Sequence, residues 1–397
     1  MRRGRLGRAF YAAAALDGMM FGVLALSVPM HIEALRRPAS LAGEVLATGT
    51  VTVAGGALVA GRVGRLVGGG RNLLAAALAV SGLGEALLFL ASAAPAMAVG
   101  AGLVGGGIGL FWVASQTLLG EASGGPGSER AFATHYAAYT FGVAGGSTGA
   151  GLVIALLRDA GVEAATASRY SYMLGILAAI LAVTVWRPAR RERVPEGPRA
   201  RLTNGLSPRG VAIQVPDLLL VAALALLLPL APIVLAGRFH LAPIVVGVTV
   251  GGIQAAKIGG AFAGRVLTES GGHRRAVLLL LIAAAVLSAL LAAAVLVGQA
   301  GIFVTVLVGT AFVATGAWPL IVDSALARTE PSRRPSATIA WNVCEYGVIA
   351  AATVSSGWIL AAAGSPQVLF VLAALLLAAA AWCASVVLRW PVHVPEG

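Results

Sequence analysis

The feature that most constrains this chain is a series of long apolar runs separated by short polar or glycine-rich stretches. A helix of about 18 or more apolar residues is long enough to cross the hydrocarbon core of a lipid bilayer. Helices are favoured over barrel strands, because barrel strands alternate between polar and apolar residues and these runs do not. The sequence predicts twelve spans, at about 9–30, 43–61, 72–92, 95–118, 132–157, 170–186, 214–236, 243–266, 274–297, 300–326, 336–361 and 366–389.

The composition excludes a soluble globular domain. Hydrophobic residues make up 58% of the 397 residues and charged residues only 11%, whereas about a quarter of a soluble domain is charged. No small-residue cleavage site follows the first apolar run, so we expect a retained first helix and not a removed signal peptide. Cys344 and Cys383 lie inside predicted spans, so we expect no disulfide framework and no metal or redox role. The sequence therefore predicts an all-α integral membrane protein.

The distribution of arginine predicts how the chain is oriented. If successive loops alternate between the two sides of the membrane, 22 arginines fall on the side of both termini. Cytoplasmic loops carry the excess of basic residues, so we expect a multi-pass protein of the cytoplasmic (inner) membrane with both termini in the cytoplasm. The net charge of +12 then reflects topology, and the expected partner is membrane lipid and not nucleic acid. Five arginines fall on the opposite side: Arg36, Arg37, Arg158, Arg169 and Arg238.

One short stretch occurs twice. Residues 55–71 read GGALVAGRVGRLVGGGR, and residues 259–274 read GGAFAGRVLTESGGHR. Matches that keep one order and nearly one offset indicate two copies of one ancestral unit. The matched pairs are Gly61 and Gly264, Arg71 and Arg274, and Pro29 and Pro232 at an offset of 203, and Trp112 and Trp318 at an offset of 206.

The repeat predicts the domain organisation. We expect two six-helix bundles in parallel repeat, one at 1–186 and the other at 214–397. Residues 187–213 are rich in arginine and proline and show no hydrophobic periodicity, which is typical of a linker. We expect this linker in the cytoplasm.

Two six-helix halves, a long central linker and an arginine-rich turn after the second helix resemble the major facilitator superfamily. The turn of that family reads Gly-x-x-x-Asp-Arg-x-Gly-Arg, and Arg62, Gly64 and Arg65 match its last part. The acidic position is Gly61 here and Gly264 in the second half. In the family this acid helps to hold one gate, so some other contact must replace it in this chain.

The resemblance also implies a mechanism. In parallel-repeat transporters the substrate site lies near the middle of the bilayer, and rocking of the two halves opens it alternately to either side. The turn residues Arg62, Gly64, Arg65 and Arg265 are then expected at a gate.

The fifth span carries part of the exporter signature of the family, Gly-x-x-x-Gly-Pro-x-x-Gly-Gly. Gly142, Gly146 and Gly151 match, whereas Ser147 and Ala150 replace the proline and the first closing glycine. This partial match favours export over uptake.

Charged residues inside the spans are candidates for coupling, because a charge at bilayer depth costs about 3 kcal/mol on insertion scales. Asp17 and Glu345 fall on helices that border the cavity in this family, and burial favours the protonated form of a carboxyl group. We predict that these two residues carry protons. In the alternatives, a backbone or hydroxyl group holds Asp17, and Glu345 forms a salt bridge with Lys257.

Lys257 is the only lysine in the chain and breaks the symmetry of the repeat. One interpretation is that Lys257 binds the carboxylate or phosphate of a substrate. The other is that it tunes the proton affinity of Glu345.

Three further polar residues are expected to have structural roles. Glu85 lies on a helix that is peripheral in this family, so we expect it to pack against a polar neighbour. Asp323 is expected to meet a loop arginine such as Arg328, and His135 is expected at the membrane interface.

Aromatic and amide side chains on the cavity helices predict the substrate site. Aromatic walls with few polar groups suit a moderately apolar organic solute. With Lys257, the predicted set consists of Trp112, Gln116, Tyr136, Tyr139, Trp318 and Asn342.

Neither an HExxH motif nor a Walker-type phosphate loop occurs in the sequence, so we predict no enzyme activity, no cofactor and no ATP drive. The main hypothesis is a monomeric secondary transporter that moves a small organic solute and is coupled to protons. The first alternative is uptake or exchange of an organic anion bound by Lys257. The others are a non-transporting membrane scaffold or sensor, and a lipid flippase.

Overall fold

A computed structural model describes residues 7–122, 128–186, 208–329 and 334–390. Of the predicted linker 187–213, residues 187–207 lie outside these ranges. The helices are α1 (Arg8–Ala34), α2 (Ala39–Val67), α3 (Gly70–Leu90), α4 (Ala94–Ala122), α5 (Ser128–Asp159), α6 (Ala164–Tyr170), α7 (Tyr172–Val185), α8 (Pro208–Leu227), α9 (Ala231–Ile233), α10 (Pro243–Gly271), α11 (His273–Val297), α12 (Ala300–Ala327), α13 (Arg334–Ala363) and α14 (Gln367–Val387).

Twelve segments of the described chain are long and apolar enough to cross a membrane, which confirms the predicted number. The helices extend beyond the predicted spans. The second helix, for example, runs from Ala39 to Val67 and not from 43 to 61. Arg62 and Arg65 are exposed on its last turns, so they continue the helix without being buried.

Glycines end the two copies of the repeated stretch. α2 ends at Val67, and the next two residues are Gly68, with φ 86°, and Gly69, with φ 127°. In the second copy Gly272 has φ 80° and separates α10 from α11. A residue with a side chain adopts a positive φ only under strain, so glycine is the residue that turns the chain here.

The seventh span is broken, whereas the sequence predicts one continuous helix over 214–236. α8 ends at Leu227, and a short turn precedes α9 and a π-helical segment, Val234–Arg238. Pro229 and Pro232 lie in this region. Proline lacks the backbone N–H and its ring obstructs the preceding turn, which accounts for the interruption.

The described residues form two compact units. Unit 1 contains the described residues up to 186 together with 229–255, and unit 2 contains 208–228 together with the described residues from 256 onward. Segment 229–255 groups with unit 1 through close backbone contacts such as that of Gly247 with Gly151. The division into bundles at 1–186 and 214–397 stays a prediction.

Glycines bring several helix pairs into backbone contact. In unit 1 a Cβ atom at Gly56 of α2 would overlap the carbonyl oxygen of Gly106 in α4. In unit 2 the repeat partner Gly260 of α10 meets the carbonyl oxygen of Phe312 in α12 in the same way. Small residues allow such close approach, which is how helices pack when lipid supplies no hydrophobic drive.

Candidate functional site

The exporter-like stretch of α5 packs against α1. A Cβ atom at Gly142 would overlap the carbonyl oxygen of Ala15, and one at Gly146 would overlap that of Met19. Ser147 occupies the proline position of the signature, and its hydroxyl lies 3.0 Å from the carbonyl oxygen of Gly22. This stretch therefore sets the distance between α1 and α5.

Asp17 lies in α1 and is fully buried in unit 1. No described residue forms a hydrogen bond with either carboxylate oxygen, so neither a backbone nor a hydroxyl group holds this side chain. Ala13 and Met20 of α1 belong to a buried apolar core that Leu78 and Phe111 complete. A charged carboxylate without a partner is costly at such a position.

Four predicted or neighbouring aromatic residues of α4 and α5 form one cluster in unit 1. The ring of Trp112 lies 4.9 Å from that of Tyr139, 5.4 Å from that of His135 and 6.5 Å from that of Tyr136, between ring centres. Tyr139 and His135 are buried, Trp112 is half-buried and Tyr136 is exposed. Gln116 is also exposed, one helical turn after Trp112. The structure thus brings together the predicted aromatic residues of unit 1.

His135 differs from its expected interfacial position. Its side chain is only 1% exposed and its ring stacks on Phe111, with ring centres 5.9 Å apart. Phe10 covers the ring from α1. The burial follows from tertiary packing of α1, α4 and α5, which the polarity of one histidine does not reveal.

Unit 2 contains a buried carboxyl group that the sequence analysis does not select. Asp217 of α8 is fully buried and accepts a hydrogen bond from Nε1 of Trp341 in α13. Glu345, one turn after Trp341, is half-buried and lies close enough to Asp217 for their charges to interact. An acidic residue inside the predicted seventh span could have indicated this site. Asp217 lies near the start of that span, however, where an acidic residue is also typical of the membrane interface.

The residues of unit 2 that are predicted to bind substrate are Lys257, Trp318 and Asn342. Lys257 is half-buried, and no ion pair within the described ranges joins it to Glu345. Trp318 is half-buried and its Nε1 has no partner among the described residues. Asn342 is exposed.

The predicted gate residues lie at helix ends. Arg62 and Arg65 are exposed, whereas Gly64 is buried and faces the side chain of Leu73. Arg265 forms an ion pair with Glu269, with 3.2 Å between Nε and Oε1. The two side chains are 79% and 66% exposed, so this pair contributes little to stability.

Arg328 interacts differently from the expectation that it meets Asp323. Its guanidinium donates hydrogen bonds to the carbonyl oxygens of Ser324 and Leu388, at 2.8 and 3.1 Å. The last carbonyl groups of a helix lack intrahelical donors. Arg328 supplies donors to the ends of both α12 and α14.

One sequence pattern of hydrolytic enzymes occurs in α5, but not in the structural setting that such enzymes need. Residues 145–149 have the pattern Gly-x-Ser-x-Gly, but they lie within α5 and not on the strand-to-helix turn that exposes a nucleophilic serine. Within the described ranges no three His, Cys, Asp or Glu side chains gather in a group that could hold a metal ion.

Comparison with known proteins gives similarity in structure alone. No family model matches the sequence, and no curated protein matches it. The structure is similar to that of a bacterial homologue of the human lysosomal transporter Spinster, with a TM-score of 0.74 and 14% identity over 98% of each chain. The nucleoside transporter NupG gives a TM-score of 0.72 and 12% identity, over 96% of this chain and 99% of that chain.

A third structure extends the similarity. The inward open xylose transporter XylE from E. coli gives a TM-score of 0.71 and 16% identity over 97% of each chain. Identities this low report on the fold, and the coverage includes nearly every helix. The chain therefore has the same fold as these three transporters, and its twelve membrane-spanning helices confirm the predicted fold class.

Proposed function

We propose that this protein is a secondary transporter that moves a small organic solute across a membrane by rocker-switch alternating access. The observation that carries the proposal is the similarity of at least 96% of the chain to the transporters named above. In parallel-repeat transporters the substrate site lies between the repeats, which move as bodies. Arg62, Gly64, Arg65 and Arg265 then act at a gate, and the exposure of the arginines supports contacts that form and break.

Proton coupling is the second part of the proposal, with Asp17 and Glu345 as the carriers. Asp17 is buried without a hydrogen-bond partner, and Glu345 lies beside Asp217. Two negative charges at short range repel each other, so a proton on either of these two carboxyl groups removes the repulsion between them. Two similar structures bear the names D-xylose–proton symporter and fucose:proton symporter, which supports coupling of this kind.

The aromatic cluster supports the class of solute. The rings of Trp112, Tyr136 and Tyr139 lie together, and Gln116 is one helical turn after Trp112. By the repeat offset, Trp318 and Asn342 are the counterparts of Trp112 and Tyr136 in unit 2. Rings with a few polar groups suit a moderately apolar organic molecule. The glycines of the exporter-like stretch favour export as the direction.

The proposed orientation places both termini in the cytoplasm, on the basis of the arginine asymmetry. In this orientation the turn between α1 and α2 lies outside the cytoplasm.

The test begins with a thermal-shift screen of purified protein against solute classes at two pH values, followed by flux assays in proteoliposomes. Asp17→Asn and Glu345→Gln are compared with Glu44→Gln, an exposed carboxyl control on α2. We expect the double variant D17N/E345Q to lose solute accumulation driven by a pH gradient, whereas E44Q retains it. Unchanged pH-driven accumulation in the double variant would refute proton coupling by these residues. Absence of any solute movement by the wild-type protein would favour a scaffold or sensor.

A second candidate function is uptake or exchange of an organic anion. The observation in its favour is Lys257, a half-buried cation with no ion pair within the described ranges. Lys257→Ala should abolish anion flux, and the control Arg275→Gln removes an exposed cation near the start of α11. Transport of a neutral solute that survives Lys257→Ala would exclude this candidate.

A further inference from the structure

Glu85 of α3 is the second buried acid of unit 1. Its side chain is fully buried, and neither carboxylate oxygen has a hydrogen-bond partner among the described residues. Gly175 of α7 lies directly opposite. A Cβ atom on Gly175 would lie 2.8 Å from Oε2 of Glu85, so the carboxyl group fits only because residue 175 has no side chain.

Two more buried polar groups lie beside Glu85. Tyr172 is one helical turn before Gly175, is fully buried, and is close enough to Glu85 for their charges to interact. Its ring centre lies 6.0 Å from that of His31 in α1, which is 3% exposed. The hydroxyl of Tyr172 and Nδ1 of His31 have no hydrogen-bond partner among the described residues. Buried polar groups are normally satisfied, so three such neighbours in one place require an explanation.

A cavity approaches these groups from the end of the bundle where α1 ends and α2 begins. Its volume is about 310 Å³, and its lining includes Met30, Glu33, Arg158, Ser168 and His240. At about 30 Å³ per molecule, this space holds roughly ten waters. The charged and polar lining favours water over an apolar occupant.

Two serine hydroxyls lie beside the cavity lining, on the same stretches of chain as His31 and Tyr172. Oγ of Ser171 lies 2.6 Å from Oγ of Ser27 and 2.6 Å from the carbonyl oxygen of Ser168, which lines the cavity. Each hydroxyl has one hydrogen to donate, so Ser171 donates to the carbonyl of Ser168 and Ser27 donates to Ser171. Ser27 is one turn before His31 on α1, and Ser171 adjoins Tyr172.

The charged groups around Glu85 are few. α4 carries no titratable residue between 94 and 120, and α7 carries only Tyr172. Arg169 of α6 lies over the ring of Phe89, 5.7 Å from its centre, and its charge acts on His31. The remaining titratable side chains of the described helices packed on α3 are Glu44, Arg62 and Arg65 of α2, Arg8, Tyr11, Asp17 and Glu33 of α1, and Tyr170 of α6.

We propose that Glu85 is a proton-binding site that exchanges protons with the cavity through the serine pair, His31 and Tyr172. A proton taken from cavity water converts the carboxylate of Glu85 into a carboxylic acid, and it returns to water by the same route. Each group on the route donates one proton and accepts another, so only Glu85 and the cavity water change their protonation. The site is separate from Asp17, which lies 14 residues before His31 in α1, or about 21 Å along the helix axis.

Infrared spectroscopy of the full chain in lipid vesicles tests the proposal. A protonated carboxyl group has its own C=O band, which shifts in deuterated water. Asp17, Asp217 and Glu345 also carry carboxyl groups, so the band of Glu85 is taken as the difference between a protein and its Glu85→Gln variant. We expect this difference to contain a carboxyl band that depends on pH, both in the wild type and in the Asp17→Asn background. A difference without a carboxyl band, or with a band that stays constant at every pH, overturns the proposal, since a permanently neutral acid would behave in the latter way.

The route is tested by the rate at which the Glu85 band shifts after transfer to deuterated water. Tyr172→Phe keeps the ring and removes the hydroxyl, so we expect exchange at least about tenfold slower. The control is Tyr170→Phe, which alters an exposed tyrosine two residues away. Equal rates in both variants would refute the route through Tyr172. These measurements need no solute, so their outcome is independent of the proposed transport.

Discussion

The contact of α1 with α5 in unit 1 and that of α8 with α13 in unit 2 occupy equivalent places in the repeat, yet they are built differently. In unit 1 the two backbones are in direct contact, because the glycines at the contact have no side chains to hold the helices apart. These glycines are Gly18, Gly22, Gly142 and Gly146. The repeat offsets place larger residues at these four positions in unit 2: Val221, Ala225, Val348 and Ala352.

The difference extends to the buried acids. In unit 2 the Asp217–Trp341 hydrogen bond links α8 to α13. The repeat partners of these residues are Ala14 and His135, which cannot form the same bond. Unit 1 therefore holds this helix pair together by close packing and leaves Asp17 without a partner, whereas unit 2 uses a side-chain hydrogen bond. The two units thus contain two kinds of acidic site.

The largest expected effect tests the close packing of unit 1. In Gly142→Ala the new methyl group meets the carbonyl oxygen of Ala15, and backbone yields less easily than a side chain. We expect the free energy of unfolding to fall by about 3 kcal/mol, at the upper end for overpacking. The measurement is reversible unfolding in mixed detergent micelles. Gly145→Ala is the control, since nothing lies within 4 Å of the new Cβ atom, and equal stability of the two variants would show that the close contact is dispensable.

A smaller effect tests the hydrogen bond of unit 2. Trp341→Phe leaves the carboxyl group of Asp217 buried without its donor, which we expect to cost about 1–2 kcal/mol. The matched change in unit 1, His135→Phe, keeps a stacked ring and removes both ring nitrogens, of which Nε2 has no partner among the described residues. We expect a smaller loss there in the same unfolding assay. If His135→Phe is the more damaging of the two, the contrast between the units is wrong.

The smallest effect concerns the acidic position of the family turn. Nothing lies within 4 Å of a Cβ atom built on Gly61, whereas its repeat partner Gly264 faces the carbonyl oxygen of Gly316. Gly61→Ala should therefore raise the free energy of unfolding by about 0.5–1 kcal/mol, the gain in helix propensity. A loss of stability on this substitution would mean that the glycine of unit 1 is also required by packing.

Prediction from sequence succeeds for the number of helices and fails at their interruptions. In lipid each spanning segment must satisfy its own backbone hydrogen bonds, so a continuous apolar run is sufficient to indicate a helix. The apolar runs do not predict the break after Leu227 or the π-helical segment at Val234–Arg238. Pro229 and Pro232 indicate that a helix is weakened, but whether the chain kinks, breaks or widens depends on its neighbours.

The candidate site is predictable only in part for the same reason. Trp112, Tyr136 and Tyr139 lie together because local helical spacing and the position of two helices agree. The partner of Asp217 is 124 residues away in the chain, so no local pattern indicates it. Glu85 sits on a helix expected to be peripheral, yet it is fully buried.

The sequence by itself was sufficient to predict the twelve helices and the glycine turns, since each depends on residues within one segment. Tertiary packing alone established which buried acids have partners and which do not. A helix carries an acid on a definite face, but the residue opposite that face comes from a distant part of the chain. Gly175 opposite Glu85 and Trp341 opposite Asp217 are such residues, one making space and the other donating a hydrogen bond.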